Sequence, residues 1–298
     1  MTLRQIEYFC AVAEEKSVSA AARALFMEQP PISRQLAALE NELGVQLFVR
    51  GNRGIVLTEA GQYFYGQCRL LLNNLTTIQN DVRDIGSGIS GTLKIGIIFS
   101  SVPYAIPYIR NYHEKYPQVK LYIRMGTPHD LLTTLDKGDL NVVILRDNVN
   151  HPGNLSSRLL GEDKMALIMT PALDPAPDMD AVPIRKLKDA PLCLLGDNDI
   201  WSYDAPLLDE LQKHGIEPNI VCTCYDTPMA IQMIRNNFGM SFLPASITLS
   251  QSPSEIYAKP IKGLQVKSAV KCIWRNDFFI SKCVRLFVQP DKEATQES

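Results

Sequence analysis

What this chain lacks narrows its function more than what it holds. No apolar run is long enough to span a hydrocarbon core, and the N-terminus lacks the charged, apolar and small-residue order of a secretory signal. The expectation is a soluble cytoplasmic protein with no membrane partner. Formal net charge is only −2, and residues 1–58 carry six Arg/Lys against six Asp/Glu. No broad basic field therefore advertises nucleic acid. The seven cysteines form an odd count without a secretion signal, which argues against a disulfide framework. There is no Cys-x-x-Cys, and the four histidines are too scattered for a zinc cluster. No Gly-x-Gly-x-x-Gly follows a strand, and Walker loops and Gly-x-Ser-x-Gly elbows are missing. The expectation is no cofactor, no metal and no enzyme. At 298 residues and 46% hydrophobic, the chain can still bury a sizeable core divided among two or three domains.

What is present begins at residues 17–40, SVSAAARALFMEQPPISRQLAALE. A short Ala-rich helix stops at Leu25, and a second opens with Pro30 and Pro31. Ser17 or Ser19 can cap the first helix, because either hydroxyl can accept a free N–H one turn on. Proline suits the first turn of the second, where its missing N–H would be unpaired anyway. Ala21, Ala22, Leu25, Ile32, Leu36 and Leu39 face inward at helical spacing, leaving Gln29, Ser33, Arg34 and Gln35 outside. This is the layout of a helix-turn-helix whose second helix enters a DNA major groove. Gly44 stops that helix. Leu47–Arg50 and Gly54–Leu57 then flank Gly51-Asn52-Arg53, a β-hairpin wing tipped by Arg53. Thr58 caps the next helix. With so little net charge, affinity must come from placed contacts and from duplication of the domain.

These residues carry a family resemblance. Leu3, Tyr8-Phe9, Ala21-Ala22, Leu25, Gln29-Pro30, Ser33-Arg34-Gln35, Leu39-Glu40, Leu43-Gly44, Leu47-Phe48, Arg50, Leu57-Thr58 and Ala60-Gly61 resemble the winged helix-turn-helix of LysR-type transcriptional regulators. The resemblance implies that Gln29, Pro30, Ser33, Arg34 and Arg53 face double-stranded promoter DNA. It also implies RNA polymerase as a further partner. Pro30-Pro31 with Ser33-Arg34-Gln35-Leu36 resembles the branch that senses aromatic acids. Glu28 departs from the small or hydroxyl residue common there.

Residues 59–90 read as a linker. Phe64, Cys68, Leu71, Leu75, Ile78, Val82 and Ile85 are spaced 4, 3, 4, 3, 4, 3, an a/d seam over three heptads. A core-facing amphipathic stripe would fit so short a stretch as well. The helix stands alone, however, between a complete DNA-binding domain (residues 1–58) and the joint Gly86-Ser87-Gly88-Ile89-Ser90-Gly91. Phe64, Leu71, Leu75, Ile78 and Val82 are therefore expected to dimerise. The family resemblance adds a homodimer or homotetramer.

From residue 91 to 298 the pattern is strand–helix alternation, an α/β fold. Strands are expected at Leu93–Ile98, Val119–Met125 and Asn141–Leu145, with helices at Pro103–Tyr116 and His129–Lys137. A second set follows: strands Met165–Thr170, Pro191–Leu195, Asn219–Cys224 and Met240–Leu243, with helices near Ala205–His214 and Pro228–Asn237. Val266–Trp274 returns as a strand to the first half, before a terminal helix Phe278–Val288. Two halves built of βαβ units imply parallel sheets. Lobe I is expected over about 91–161 and 268–298, lobe II over about 162–267. This two-lobed arrangement resembles a periplasmic-binding protein, as the family resemblance implies.

Ligands of open α/β sheets sit at the carboxyl ends of strands. Three strands here end in a hydroxyl, a proline and a helix: Ser100-Ser101-Val102-Pro103, Gly126-Thr127-Pro128 and Asp226-Thr227-Pro228. Each offers a hydroxyl and free N–H groups, an anion site, although ordinary N-capping explains any one of them alone. Arg146 follows its strand at the same edge, as an anion ligand or as a surface ion pair. Trp201, Ser202 and Tyr203 would supply aromatic area with polar tips. The expectation is a small organic anion, with room for a ring, bound by Ser100, Ser101, Thr127, Arg146, Trp201, Ser202, Tyr203 and Thr227. The family resemblance assigns effector carboxylate contacts to the positions matching Ser100 and Thr127, and Arg146 also matches. Residues 220–226 resemble a branch that responds to phenolic acids, and Asn141 stands where the family usually has Asp. The competing reading is a thiol-based redox sensor using Cys193 with Cys222 or Cys224. Against it, Cys222 and Cys224 are expected on opposite strand faces, and Cys10 and Cys68 as core thiols.

Overall fold

The first helix, α1 (Leu3–Glu15), opens with a reciprocal cap. The Thr2 hydroxyl accepts the Gln5 N–H while the Gln5 side chain accepts the Thr2 N–H, which satisfies two donors the helix cannot pair internally. Ser17 caps α2 (Val18–Ala24) through the Ala20 N–H. After the turn comes α3 (Gln29–Leu43), which ends at Gly44 with φ of 69°. Ile6, Phe9, Val12, Ala21, Ala22, Ile32 and Leu39 form a shared core, with Leu36 nearly as covered. The computed structural model describes residues 1–51, 54–84, 89–146, 154–196, 204–250, 252, 254–276 and 280–289. Arg53, Ile85, Trp201, Ser202 and Tyr203 lie outside the described residues.

The wing pairs β1 (Phe48–Gly51) with β2 (Gly54–Leu57), Phe48 opposite Leu57 and Gly51 opposite Gly54. Glu40 of α3 pins it, one carboxylate oxygen accepting the Leu47 and Phe48 N–H groups at 2.7 and 3.1 Å. Thr58 joins the wing to α4 (Glu59–Asp84): its hydroxyl accepts the Gly61 N–H and donates to the Gln46 carbonyl. A Cβ at Gly61 would stand 2.1 Å from the Leu47 carbonyl oxygen, so only glycine allows this approach.

Along α4 the expected seam divides. Cys68 is buried in the core of the N-terminal unit, and Phe64 stacks edge-on against Phe9 at 4.9 Å. Past them the apolar positions open to solvent, with Leu71, Ile78 and Val82 exposed and Leu75 half-buried. The first turns of α4 therefore complete the winged domain, and the exposed stripe begins at Leu71.

The second unit holds the α/β part. In lobe I, β3 (Gly91–Ile97) leads through α5 (Val102–Lys115) to β4 (Val119–Met125), then α6 (Pro128–Asp136) and β5 (Val142–Arg146). In lobe II, β7 (Pro191–Leu195), α7 (Ala205–Lys213), β8 (Asn219–Cys224), α8 (Thr227–Arg235) and β9 (Ser241–Pro244) repeat the sequence of elements. Between them runs β6 (Leu155–Met169), and after them come β10 (Tyr257–Lys259), β11 (Lys267–Arg275) and α9 (Lys282–Val288). β3 pairs in parallel with both β4 and β5, and β7 in parallel with β8. β11 lies antiparallel between β5 and the first ten residues of β6. The rest of β6 pairs antiparallel with β9 and β10.

The sheets are thus mixed, not parallel. The reason is the crossing strands: each runs from one lobe into the other and enters its sheet against the βαβ direction. The strand expected from Met165 begins at Leu155, because its first ten residues are half-exposed and polar and gain strand geometry only by pairing with β11. β10 was not anticipated, and the terminal helix starts at Lys282, with Phe278 outside the described residues. The Tyr108 and Tyr112 hydroxyls of α5 bond the Phe287 and Cys283 carbonyls of α9, tying that helix to lobe I. Asn141 does what a carboxylate would at its turn: its side-chain oxygen accepts the Lys94 N–H at 2.8 Å. Among the described residues no helix is long and apolar enough to cross a membrane.

Candidate functional site

On the N-terminal unit, Gln29, Pro30, Ser33, Arg34 and Gln35 are all exposed along the first two turns of α3, opposite buried Ile32, Leu36 and Leu39. The Ser19 hydroxyl donates to the Gln29 side-chain oxygen at 2.9 Å, which holds that amide at the helix entrance. Glu28 occupies the N-cap position of α3 without a side-chain cap bond. A row of polar ends in the first turns of a helix suits phosphates beside a groove and base edges within it.

In the second unit, strand register aligns the hydroxyl turns. Ile97 of β3 is level with Met125 of β4 and Ile144 of β5, so Ser100, Thr127 and Arg146 leave lobe I at one edge. In lobe II, Leu195 is level with Cys224, which places Asp226 and Thr227 at the corresponding edge. These edges adjoin: Phe99 of lobe I packs into the lobe II cluster that contains Ile231 and Leu195, and the Phe99–Ser101 turn lies against α8. Ser100, Ser101 and Thr227 are buried there, and Thr127 is half-buried.

The hydroxyls differ in what they already do. Thr127 accepts the Asp130 N–H at 3.2 Å, capping α6 with a lone pair and leaving its O–H free to donate. At α8 the cap is the Asp226 carboxylate, bonded to the Met229 N–H, which leaves the Thr227 hydroxyl outside that role. Ser101 is fully buried, and its hydroxyl finds no partner among the described residues. The N-termini of α5, α6 and α8, each with proline in the first turn or beside it, bring their positive dipole ends to this junction.

Arg146 is not a surface ion pair: its side chain is 1% exposed and pairs with Asp163 of β6 at 3.0 Å. The guanidinium also donates to the Ser100 carbonyl, through Nε at 3.2 Å and through Nη2. A cation this deep must be paired, and here the partner is a carboxylate that Ser246 bonds as well. Arg146 therefore shapes the Ser100 turn from behind. Sequence reading missed Asp163 and Ser246, because Asp163 sits in a polar stretch that looks like a surface loop.

The thiols also depart from expectation. Residues two apart on a strand share a face, so Cys222 and Cys224 lie on the same side of β8, and Cys193 is the register partner of Cys222 on β7. Cys10 and Cys68 are buried together within the winged core, where the neighbouring Cys68 and then burial push the Cys10 thiol up. Among the described residues no group of His, Cys, Asp or Glu could hold a metal ion.

Comparison with known proteins agrees with this architecture. Residues 86–293 match the family described as "LysR substrate binding domain", and residues 3–62 match "Bacterial regulatory helix-turn-helix protein, lysR family". The HTH-type transcriptional regulator AlsR of Bacillus subtilis (strain 168) is 30% identical over 247 residues, 83% of this chain and 81% of AlsR. BsdA of the same strain is 25% identical, covering 97% of this chain and 99% of BsdA. The crystal structure of full-length CbnR complexed with target DNA superposes with a TM-score of 0.72 at 26% identity, over 99% of this chain and 100% of that one. A winged helix-turn-helix, a long linker helix and a two-lobed α/β domain occur here in the same order, and the chain belongs to the LysR family of DNA-binding transcriptional regulators.

Proposed function

We propose that this regulator acts in the cytoplasm on promoter DNA under the control of a small organic acid held between lobes I and II. The observation that carries the reading is the meeting of hydroxyl-bearing helix N-termini from both lobes, at Ser100-Ser101, Thr127 and Thr227. A carboxylate there would accept O–H and N–H bonds that no long, mobile cation need supply. Arg146 contributes by fixing the Ser100 turn, and Trp201, Ser202 and Tyr203 remain the candidates for lining the organic part. Contacts made by both lobes favour one lobe arrangement over another, and only such differential binding shifts a conformational equilibrium. In this reading Leu71, Leu75, Ile78 and Val82 close the α4 seam of a dimer or tetramer. Gln29, Pro30, Ser33, Arg34 and Arg53 contact DNA, and the altered spacing of paired domains changes what RNA polymerase meets at the promoter.

The test is a thermal-shift screen of the intact protein against aromatic monocarboxylates, short dicarboxylates and their uncharged amides. A ligand that binds only the folded state raises the melting temperature by mass action. Stabilisation by acids and not by amides supports the reading. Equal response to both, or response to neither, removes the carboxylate cleft.

A further inference from the structure

Charge at the edge where the lobes adjoin is one-sided. The strands that run in parallel toward it are β3, β4 and β5 in lobe I and β7, β8 and β9 in lobe II. The residues that follow them, 98–101, 126–127, 147–154, 196–204, 225–226 and 245–250, include no Lys or Arg, but they include Asp147, Asp197, Asp199, Asp204 and Asp226. The two cations nearest in sequence are already matched: Arg124 pairs with Asp130 at 2.9 Å and Arg146 with Asp163 at 3.0 Å. What lobe I offers an anion is therefore neutral. Ser101 is the N-cap residue of α5 but makes no side-chain cap bond, and its hydroxyl is buried without a partner among the described residues. A buried hydroxyl left unbonded costs free energy, so a ligand atom that bonds it is favoured. With the Thr127 O–H and the first turns of α5 and α6, this makes a place for one carboxylate, since each helix end carries roughly half a positive charge.

Lobe II offers the opposite sign. Asp226 caps α8 through Oδ1, which accepts the Met229 N–H at 2.8 Å, and the residue is exposed, so Oδ2 can accept a further donor. A second carboxylate placed here would be repelled, whereas an ammonium would gain a charge-assisted hydrogen bond. We propose, on the footing of the organic-acid cleft, that the effector is a zwitterion of the amino-acid class, its carboxylate held by Ser101 and Thr127 of lobe I and its ammonium by Asp226 of lobe II. The net charge of such a ligand is zero, which suits an edge whose turns carry aspartate and no cation. A monocarboxylate leaves Asp226 without a partner and binds more weakly. A dicarboxylate sets its second charge against Asp226 and binds least. Because the two ends of a zwitterion answer to different lobes, its contacts are complete in one lobe arrangement only, the differential binding that effector control needs.

The experiment measures binding to the full-length protein by calorimetry, using matched sets that share a skeleton. The sets are L-phenylalanine, phenylpropanoate and phenylsuccinate; para-aminomethylbenzoate, para-methylbenzoate and terephthalate; and γ-aminobutyrate, butyrate and succinate. In at least one set the zwitterion should bind roughly tenfold or more tightly than the monocarboxylate, with the dicarboxylate weakest. Asp226→Asn and Asp226→Ser both keep a capping residue on α8, because Asn and Ser cap about as well as Asp. Each should abolish the preference for the zwitterion while leaving monocarboxylate affinity undiminished. Equal binding of zwitterion and monocarboxylate, tightest binding of a dicarboxylate, or a preference that survives in both variants overturns the zwitterion and leaves the organic-acid cleft standing. Binding of no carboxylate from any set removes both.

Discussion

At the scale of single residues, burial decides which polar groups are available to a ligand and which serve the fold. Arg34 is exposed on the outer face of α3, whereas Arg146 is enclosed by Ser100 and Asp163. Arg34→Ala should therefore cost ~1–3 kcal/mol in operator binding and relax discrimination at one base pair of each half-site. Footprinting across single-base operator variants checks it, and unchanged discrimination would reassign Arg34 to phosphate contact. Asp204 shows the opposite situation. It is fully buried beside the Leu195 N–H, and burial pushes its carboxyl up to about 7. The folded state thus holds a proton that the unfolded chain has released above about 4. The stability this lends is present below about pH 4 and is lost as pH rises through about 7, at no more than ~1.4 kcal/mol per pH unit. Urea titrations between pH 5 and 8 should show that decline in the wild type, and a flatter curve in Asp204→Asn. Neither Arg146's enclosure nor Asp204's burial was legible in the sequence, because both depend on residues distant along the chain. The exposed row on α3 was legible, since 3.6-residue spacing alone separates Ile32, Leu36 and Leu39 from their polar neighbours.

At the scale of elements, legibility followed boundaries. Val119–Met125, Pro191–Leu195 and Asn219–Cys224 are short apolar segments closed by Gly, Pro or Asp signals, and they are strands over those same residues. Residues 155–164 carry no such signal: Ser156, Ser157, Arg158, Glu162 and Asp163 look like a loop until β11 pairs with them. The α4 seam illustrates a different ambiguity. Period 3.5 and period 3.6 diverge little over three heptads, so one pattern can serve the winged core at Phe64 and Cys68 and an outward stripe from Leu71. If that stripe is the dimer seam, Leu75→Glu should dissociate the oligomer, because a charge buried without a partner costs several kcal/mol. Sedimentation should show the lighter species, with operator affinity falling steeply. An intact oligomer would leave the stripe without that role.

At the scale of the whole molecule, effector control asks that two lobes and a paired DNA-binding surface respond together. Thr127→Ala removes an O–H donor that would bond an ionised group, a loss of ~1.5–3 kcal/mol, about ten- to a hundredfold in effector affinity. The α6 cap is lost as well, so the melting temperature without ligand should be recorded beside it. In a promoter reporter the effector concentration needed for half-response should rise by that factor, with operator affinity unchanged. Normal induction would place the ligand elsewhere. The crossing strands carry a further consequence, for the order in which the chain can be made. The winged core lies between Ile6 and Cys68 and can close while the rest is still being synthesised. Lobe I cannot: β11, residues 267–275, is wedged between β5 and β6 and arrives only after the whole of lobe II. Until then two strand edges stand unpaired through more than a hundred residues of translation, on the order of 10 s at ~5–20 residues per second. A nascent chain therefore holds a finished DNA-binding domain long before it holds a finished sensor, and its exposed sheet edges at β5 and β6 are where a chaperone would be needed.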